Sequence, residues 1–114
     1  MDNEVFVWYN LTNLKRQARA MFNKNTVRKY IRFYGLVQAV GFRYTACHAA
    51  RLYGATGWVK NEWDDSVSME IQGTEQQIDS VIKALNRGTY IRIDRMETKS
   101  IPARLDENGF KVAY

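Results

Sequence analysis

Apolar and polar positions along the chain fall into alternating strand-like and helix-like runs. The segment VRKYIRFY (27–34) alternates, with Tyr30, Arg32 and Tyr34 on one side and Lys29, Ile31 and Phe33 on the other, and predicts a first strand. The Ala-rich run RYTACHAARLY (43–53) favours a helix, and Gly54 supplies its stop. TGWVKNEW (56–63) reads as a second strand, DDS (64–66) as a turn, and VSMEIQ (67–72) as a third strand with Val67, Met69 and Ile71 inward. A second helix is the clearest element. Ile78, Val81, Ile82 and Leu85 form its apolar stripe, Thr74 and Gln77 a capping box at its start, and Asn86-Arg87-Gly88 its end. YIRIDRMETKSIP (90–102) predicts a fourth strand, bent along its length, and FKVAY (110–114) a short closing one.

The order strand, helix, strand, strand, helix, strand constrains the fold. Hairpins and right-handed crossovers of these lengths give an antiparallel sheet with two helices on one face, a ferredoxin-like α+β sandwich with βαββαβ order. This domain is expected over residues 27–114. Residues 1–26 read as an N-terminal extension. VFVWY is strand-like, and Leu11, Leu14, Ala18, Met21 and Phe22 fall near helical spacing after a cap at Asn10 or Thr12. Lys15, Arg16, Arg19 and Lys24 make the other side of that helix basic. It is expected to pack its apolar stripe on the domain, with a membrane-surface or partner-binding helix as the alternative.

Composition narrows the class. The 114 residues, 46% hydrophobic and 25% charged, suit one soluble domain with one core. The net charge of +5 favours anionic partners. Cys47 is the single cysteine, so no intramolecular disulfide can form, which suits a reducing compartment. No apolar run approaches the roughly 20 residues of a membrane span, and the acidic start differs from a secretory signal. A cytoplasmic protein, monomeric by default, is expected.

The candidate chemistry lies in GLVQAVGFR (35–43), between the first strand and the first helix. Successive backbone N–H groups in a tight turn converge into an anion-binding nest, and the start of a helix adds unsatisfied N–H groups and the positive end of its dipole. Small side chains let an anion approach. Arg43, in the first turn, presents five donors that match a phosphate or carboxylate. Its charge is unfavourable beside the positive helix end unless an anion is bound. Asn61, near the end of the second strand, has a donor and an acceptor with which to orient a water. A polarised phosphoryl group beside a positioned water suffices for hydrolysis, because phosphoryl transfer is catalysed mainly by positioning and electrostatics.

Two motifs carry a family resemblance. Gly35, Val37, Gln38, Val40, Phe42 and Arg43 match G-x-V-Q-G-V-x-F-R, and Gly57, Trp58, Val59, Asn61, Asp64 and Val67 match G-W-V-x-N-x-x-D-G-x-V. Ala50 and Gly54 also fall at the family's positions. Over residues 27–114 the sequence resembles the acylphosphatases. The resemblance implies a ferredoxin-like fold and hydrolysis of the carboxyl–phosphate bond of small-molecule acyl phosphates, giving carboxylate and inorganic phosphate. It implies no metal, no cofactor and no covalent intermediate. Backbone N–H groups of Leu36, Val37, Gln38, Ala39 and Val40 would cradle the phosphate, Arg43 would clamp it, and Asn61 would orient the attacking water. A bound phosphate oxygen can take the water's proton.

Two residues depart from the pattern. Ala39 stands where the family has glycine; if φ is positive there, alanine costs on the order of 1 kcal/mol, borne as strain or relieved by a small shift of the loop. Asp65 replaces a hairpin glycine and tolerates left-handed geometry better. Glu62 is expected to point to the face opposite Asn61.

Other constellations are weaker. Cys47 and His48 are adjacent on a helix and diverge, which suits a core cysteine and an exposed histidine better than a nucleophile–base pair. Ligands for a zinc site are lacking, and Asp64 and Asp65 suit a hairpin turn. The strand–helix order is shared with the RNA recognition motif, but VSMEIQ lacks the aromatics such modules carry on the third strand, so no nucleic-acid partner is expected. The runner-up is an acylphosphatase-like domain of reduced rate that binds phosphate-bearing ligands or a protein partner.

Overall fold

The structure, a computed structural model, describes residues 25–114. The strand-like run and basic helix expected before them lie outside the described residues. The elements are β1 (Thr26–Leu36), α1 (Phe42–Tyr53), β2 (Thr56–Asn61), β3 (Val67–Thr74), α2 (Glu75–Asn86), β4 (Arg92–Ile101) and β5 (Phe110–Val112). The sheet order is β4-β1-β3-β2-β5. The first four strands pair antiparallel, as expected. β5 instead runs parallel to β2, with Gly57 opposite Phe110 and Val59 opposite Val112, so the complete sheet is mixed. The connection 102–109 carries the chain from the β4 edge of the sheet to the β5 edge.

Alternation along the strands divides the sheet into two faces. Ile31 pairs with Met69 and Phe33 with Val67, and all four are fully buried. They form one core with Ala46, Ala49 and Ala50 of α1 and Ile78, Val81 and Leu85 of α2. The small α1 residues let that helix approach closely. The expected capping box of α2 is complete: the Gln77 N–H donates to Thr74 Oγ1 at 3.1 Å, and the Thr74 N–H to Gln77 Oε1 at 2.8 Å.

The opposite face is polar and centred on Arg28, which is 1% exposed. Its guanidinium donates to Glu70 (2.9 Å), to Gln72 (3.2 Å) and to both carboxylate oxygens of Glu107 (2.7 and 2.9 Å). Gln72 and Arg104 also exchange two hydrogen bonds, which ties the 102–109 connection to this face. A buried cation survives here because its donors meet acceptors on three sides.

At its C-terminal end β1 loses register against β4 between Tyr34 and Gly35. Gly35 has φ +135°, and a Cβ there would lie 2.3 Å from the Arg92 carbonyl oxygen. Only glycine fits this irregularity, which shifts the pairing with β4 just before the strand ends and the loop begins.

Candidate active site

The loop delivers the chain into α1 through Gly41, the N-cap, at φ 81°. Glycine has no side chain to cap the helix, and the first turn holds no acidic residue. The first intrahelical bond runs from the Thr45 N–H to the Gly41 carbonyl, which leaves the earlier N–H groups of the helix outside its ladder. Among the described residues, none of the backbone hydrogen bonds outside helices and strands is donated by residues 37–40. A row of N–H groups and an open positive helix end therefore meet at one place. The opposite end of α1 is closed: Gly54, also left-handed, donates its N–H to the Ala50 carbonyl.

Ala39 has φ 60°. The alanine thus takes the left-handed conformation itself, at a strain of about 1 kcal/mol. Asp65, at φ 73°, does the same in the hairpin.

A cleft of about 420 Å³ opens beside the loop, and Val37, Ala39, Arg43 and Asn61 all line it. Sequence positions 18 residues apart are brought together because β2 runs beside the start of α1. Asn61 is the last residue of β2, on the helix-facing side with Gly57 and Val59, and pairs with Val67. Arg43 is half-buried, and its guanidinium lies 5.8 Å from the Tyr114 ring centroid, within cation–π range. Among the described residues no carboxylate forms an ion pair with it.

The other loop side chains are not in this cleft. Leu36 ends β1 opposite Arg92, and Leu36 and Val40 line a second groove with Tyr90 and Ile91 on the far side of the loop. Ala39 borders both. Gln38 turns toward the hairpin, where its Nε2 donates to the carbonyl oxygens of Glu62 (2.7 Å) and Ser66 (2.9 Å). This staple joins the loop to the hairpin immediately after Asn61. The motif reading gave Gln38 only a backbone part, because a side-chain amide carries no sign of which carbonyls it will meet.

The hairpin is fixed from its other face. Asp64 accepts from the Ser66 hydroxyl and N–H and from Arg32. The Ser66 hydroxyl first, then its N–H and the Arg32 guanidinium, hold the Asp64 carboxyl at about 2, below its usual 3.8. Asp64 is a turn residue, as its place in the sequence suggested. Glu62 turns toward Ser68, which donates its hydroxyl to it.

Cys47 is buried and His48 exposed, their expected placement. Burial pushes the Cys47 thiol up, partly opposed by Arg51 and Arg43, so it is a poor nucleophile. Among the described residues no cluster of His, Cys, Asp and Glu could hold a metal ion, and no helix is long and apolar enough to cross a membrane. The sequence reading did not single out Arg51 or Tyr114, which also line the cleft. For Arg51 a signal existed, since it lies eight residues after Arg43 on the same side of one helix.

Comparisons with known proteins bear on the family and the fold. The acylphosphatase family profile matches residues 29–112. An acylphosphatase of Geobacillus kaustophilus is 40% identical over 81 residues, covering 70% of this chain and 86% of that protein. Another from Thermococcus kodakarensis is 39% identical over 88 residues, covering 75% of this chain and 94% of that one. The crystal structure of acylphosphatase from Bacillus subtilis aligns with a TM-score of 0.71 at 27% identity, over 77% of this chain and 99% of that chain.

Proposed function

We propose that this chain, which belongs to the acylphosphatase family, hydrolyses acyl phosphates with the roles assigned as follows. The phosphoryl group sits on the N–H groups of Leu36, Val37, Gln38, Ala39 and Val40 and is clamped by Arg43. Asn61 orients a water for attack at phosphorus. One P–O bond forms from the water and the P–O bond to the acyl oxygen breaks. The acyl group leaves as a carboxylate, which needs no general acid because its conjugate acid is fully ionised at neutral pH. The water's proton passes to a phosphoryl oxygen. The products are a carboxylate and inorganic phosphate.

One observation carries this reading: the uncapped, glycine-initiated end of α1 opens on the cleft that Arg43 and Asn61 share. Anion binding at a helix start and a positioned water are the two requirements of the reaction. Ala39 in the left-handed conformation supports a loop that keeps a glycine's path, which favours turnover over ligand binding alone. The substrate class is a small-molecule acyl phosphate, as the size of the cleft supports. A cytoplasmic site of action is supported by the single, buried thiol.

The test is hydrolysis of benzoyl phosphate without added metal, for the wild type and Asn61→Ala. Loss of water positioning is expected to lower kcat by about a hundredfold or more, with KM changed much less. Wild-type protein without turnover would remove the assignment.

A further inference from the structure

The cleft holds a second cation that the hydrolytic reading does not use. Arg51 lines it together with Arg43. Eight residues of α1 separate the two, about 12 Å along the axis, with Cys47 between them on the same stripe. Among the described residues, two arginines and no Asp or Glu side chain line this cleft. Among the described residues neither arginine has an ion-pair partner. The loop amides and Arg43 already match a phosphoryl dianion, so Arg51 is surplus to that group.

Two plain accounts of Arg51 exist, and neither exhausts it. It sits in the last turn of α1, where a cation complements the helix dipole. It also donates from Nη2 to the Phe110 carbonyl at 3.3 Å, which ties α1 to β5. That bond is long and occupies one of five N–H donors. The side chain is otherwise exposed.

We infer that Arg51 is a specificity-determining residue: it binds an anionic group on the acyl part, so the preferred substrates are short acyl phosphates carrying a second negative charge. This rests on the hydrolytic reading above. The phosphoryl end occupies the loop, the acyl chain runs along α1 past Cys47, and its far end meets the Arg51 guanidinium. A carboxylate or a second phosphate offers the same paired oxygens to that planar fork.

The experiment compares kcat/KM for succinyl phosphate and butyryl phosphate, which differ by a carboxylate in place of a methyl group. Wild type, Arg51→Lys and Arg51→Met are measured, with melting temperature alongside. The succinyl-to-butyryl ratio is expected to fall roughly tenfold in Arg51→Met, mainly through KM for the succinyl substrate, as one charged hydrogen bond is lost. Arg51→Lys should recover part of the ratio. Phosphoglycolyl phosphate against glycolyl phosphate tells the two anion sources apart: a larger ratio there assigns a phosphate, a smaller one a carboxylate, and either supports the inference. A ratio that stays the same in Arg51→Met overturns it. So does a proportional loss on both substrates with a lower melting temperature, which would leave Arg51 only its tie to β5. A wild type that turns over neither substrate overturns the hydrolytic reading and this inference together, whereas normal butyryl turnover with an insensitive ratio overturns this inference alone.

Discussion

Arg28 on the polar face of the sheet and Arg43 at the start of α1 carry the same side chain into opposite circumstances. Arg28 is sealed in, and its donors end on Glu70, Gln72 and Glu107. Arg43 is half-buried on a cleft, beside an aromatic ring, without a carboxylate partner among the described residues. Both charges are desolvated to some degree, but only the first is answered within the fold. An arginine whose donors are satisfied holds structure, and one whose donors are left over is available to a ligand.

Exchanging the tests sharpens this contrast. Arg43→Ala should cost about a thousandfold or more in kcat/KM for benzoyl phosphate, while urea denaturation moves by less than about 1 kcal/mol. Arg28→Met should do the reverse. Two carboxylates lose their cation, and unfolding free energy drops by about 3–5 kcal/mol, while the protein that remains folded keeps its kcat. If Arg43→Ala proves as destabilising as Arg28→Met, the division between the two faces fails.

Gln38 lies between these extremes, since it positions the loop without facing the cleft. Gln38→Leu removes two hydrogen bonds to the hairpin. A displacement of about 1 Å between loop and Asn61 would lower kcat by roughly ten- to a hundredfold, at a stability cost of about 1–2 kcal/mol. A fall confined to stability would make Gln38 purely structural. The smallest effect belongs to Ala39→Gly. Relief of left-handed strain is offset by the greater freedom of glycine in the unfolded chain, so chemical denaturation should shift by less than about 1 kcal/mol. Activity should rise by no more than a few-fold. A gain near a hundredfold would mean that the Ala39 methyl group obstructs the cleft.

Much of this was legible in the chain, for physical reasons that also explain what was not. Val67, Met69 and Ile71 revealed their inward face, and Ile31 and Phe33 their shared side, because side chains alternate along a strand. Thr74 and Gln77 revealed a helix start because capping acts over four residues. Arg43 and Asn61 were readable as a pair through motif spacing and the family it resembles. The parallel pairing of β5 was not, since a three-residue strand has too short a pattern to show its partner or direction. Nor was the Arg28 cluster: Arg28, Glu70 and Glu107 are far apart in sequence, and an arginine in an alternating strand looks like any solvated position. The Gln38 staple was hidden for the same reason, as it depends on where two backbone carbonyls arrive in space.

The two glycines that bracket α1 have nearly the same backbone angles, yet one end of the helix is finished and the other is not. On the reading proposed above, the open end recognises the phosphoryl group and little else, so it greets the released product as readily as the incoming substrate. Throughput then depends on the ambient level of inorganic phosphate, which competes for the same amides. The same ion, by binding only the folded chain, shifts the folding equilibrium in its favour. Where phosphate is plentiful the protein is at once slower and sturdier.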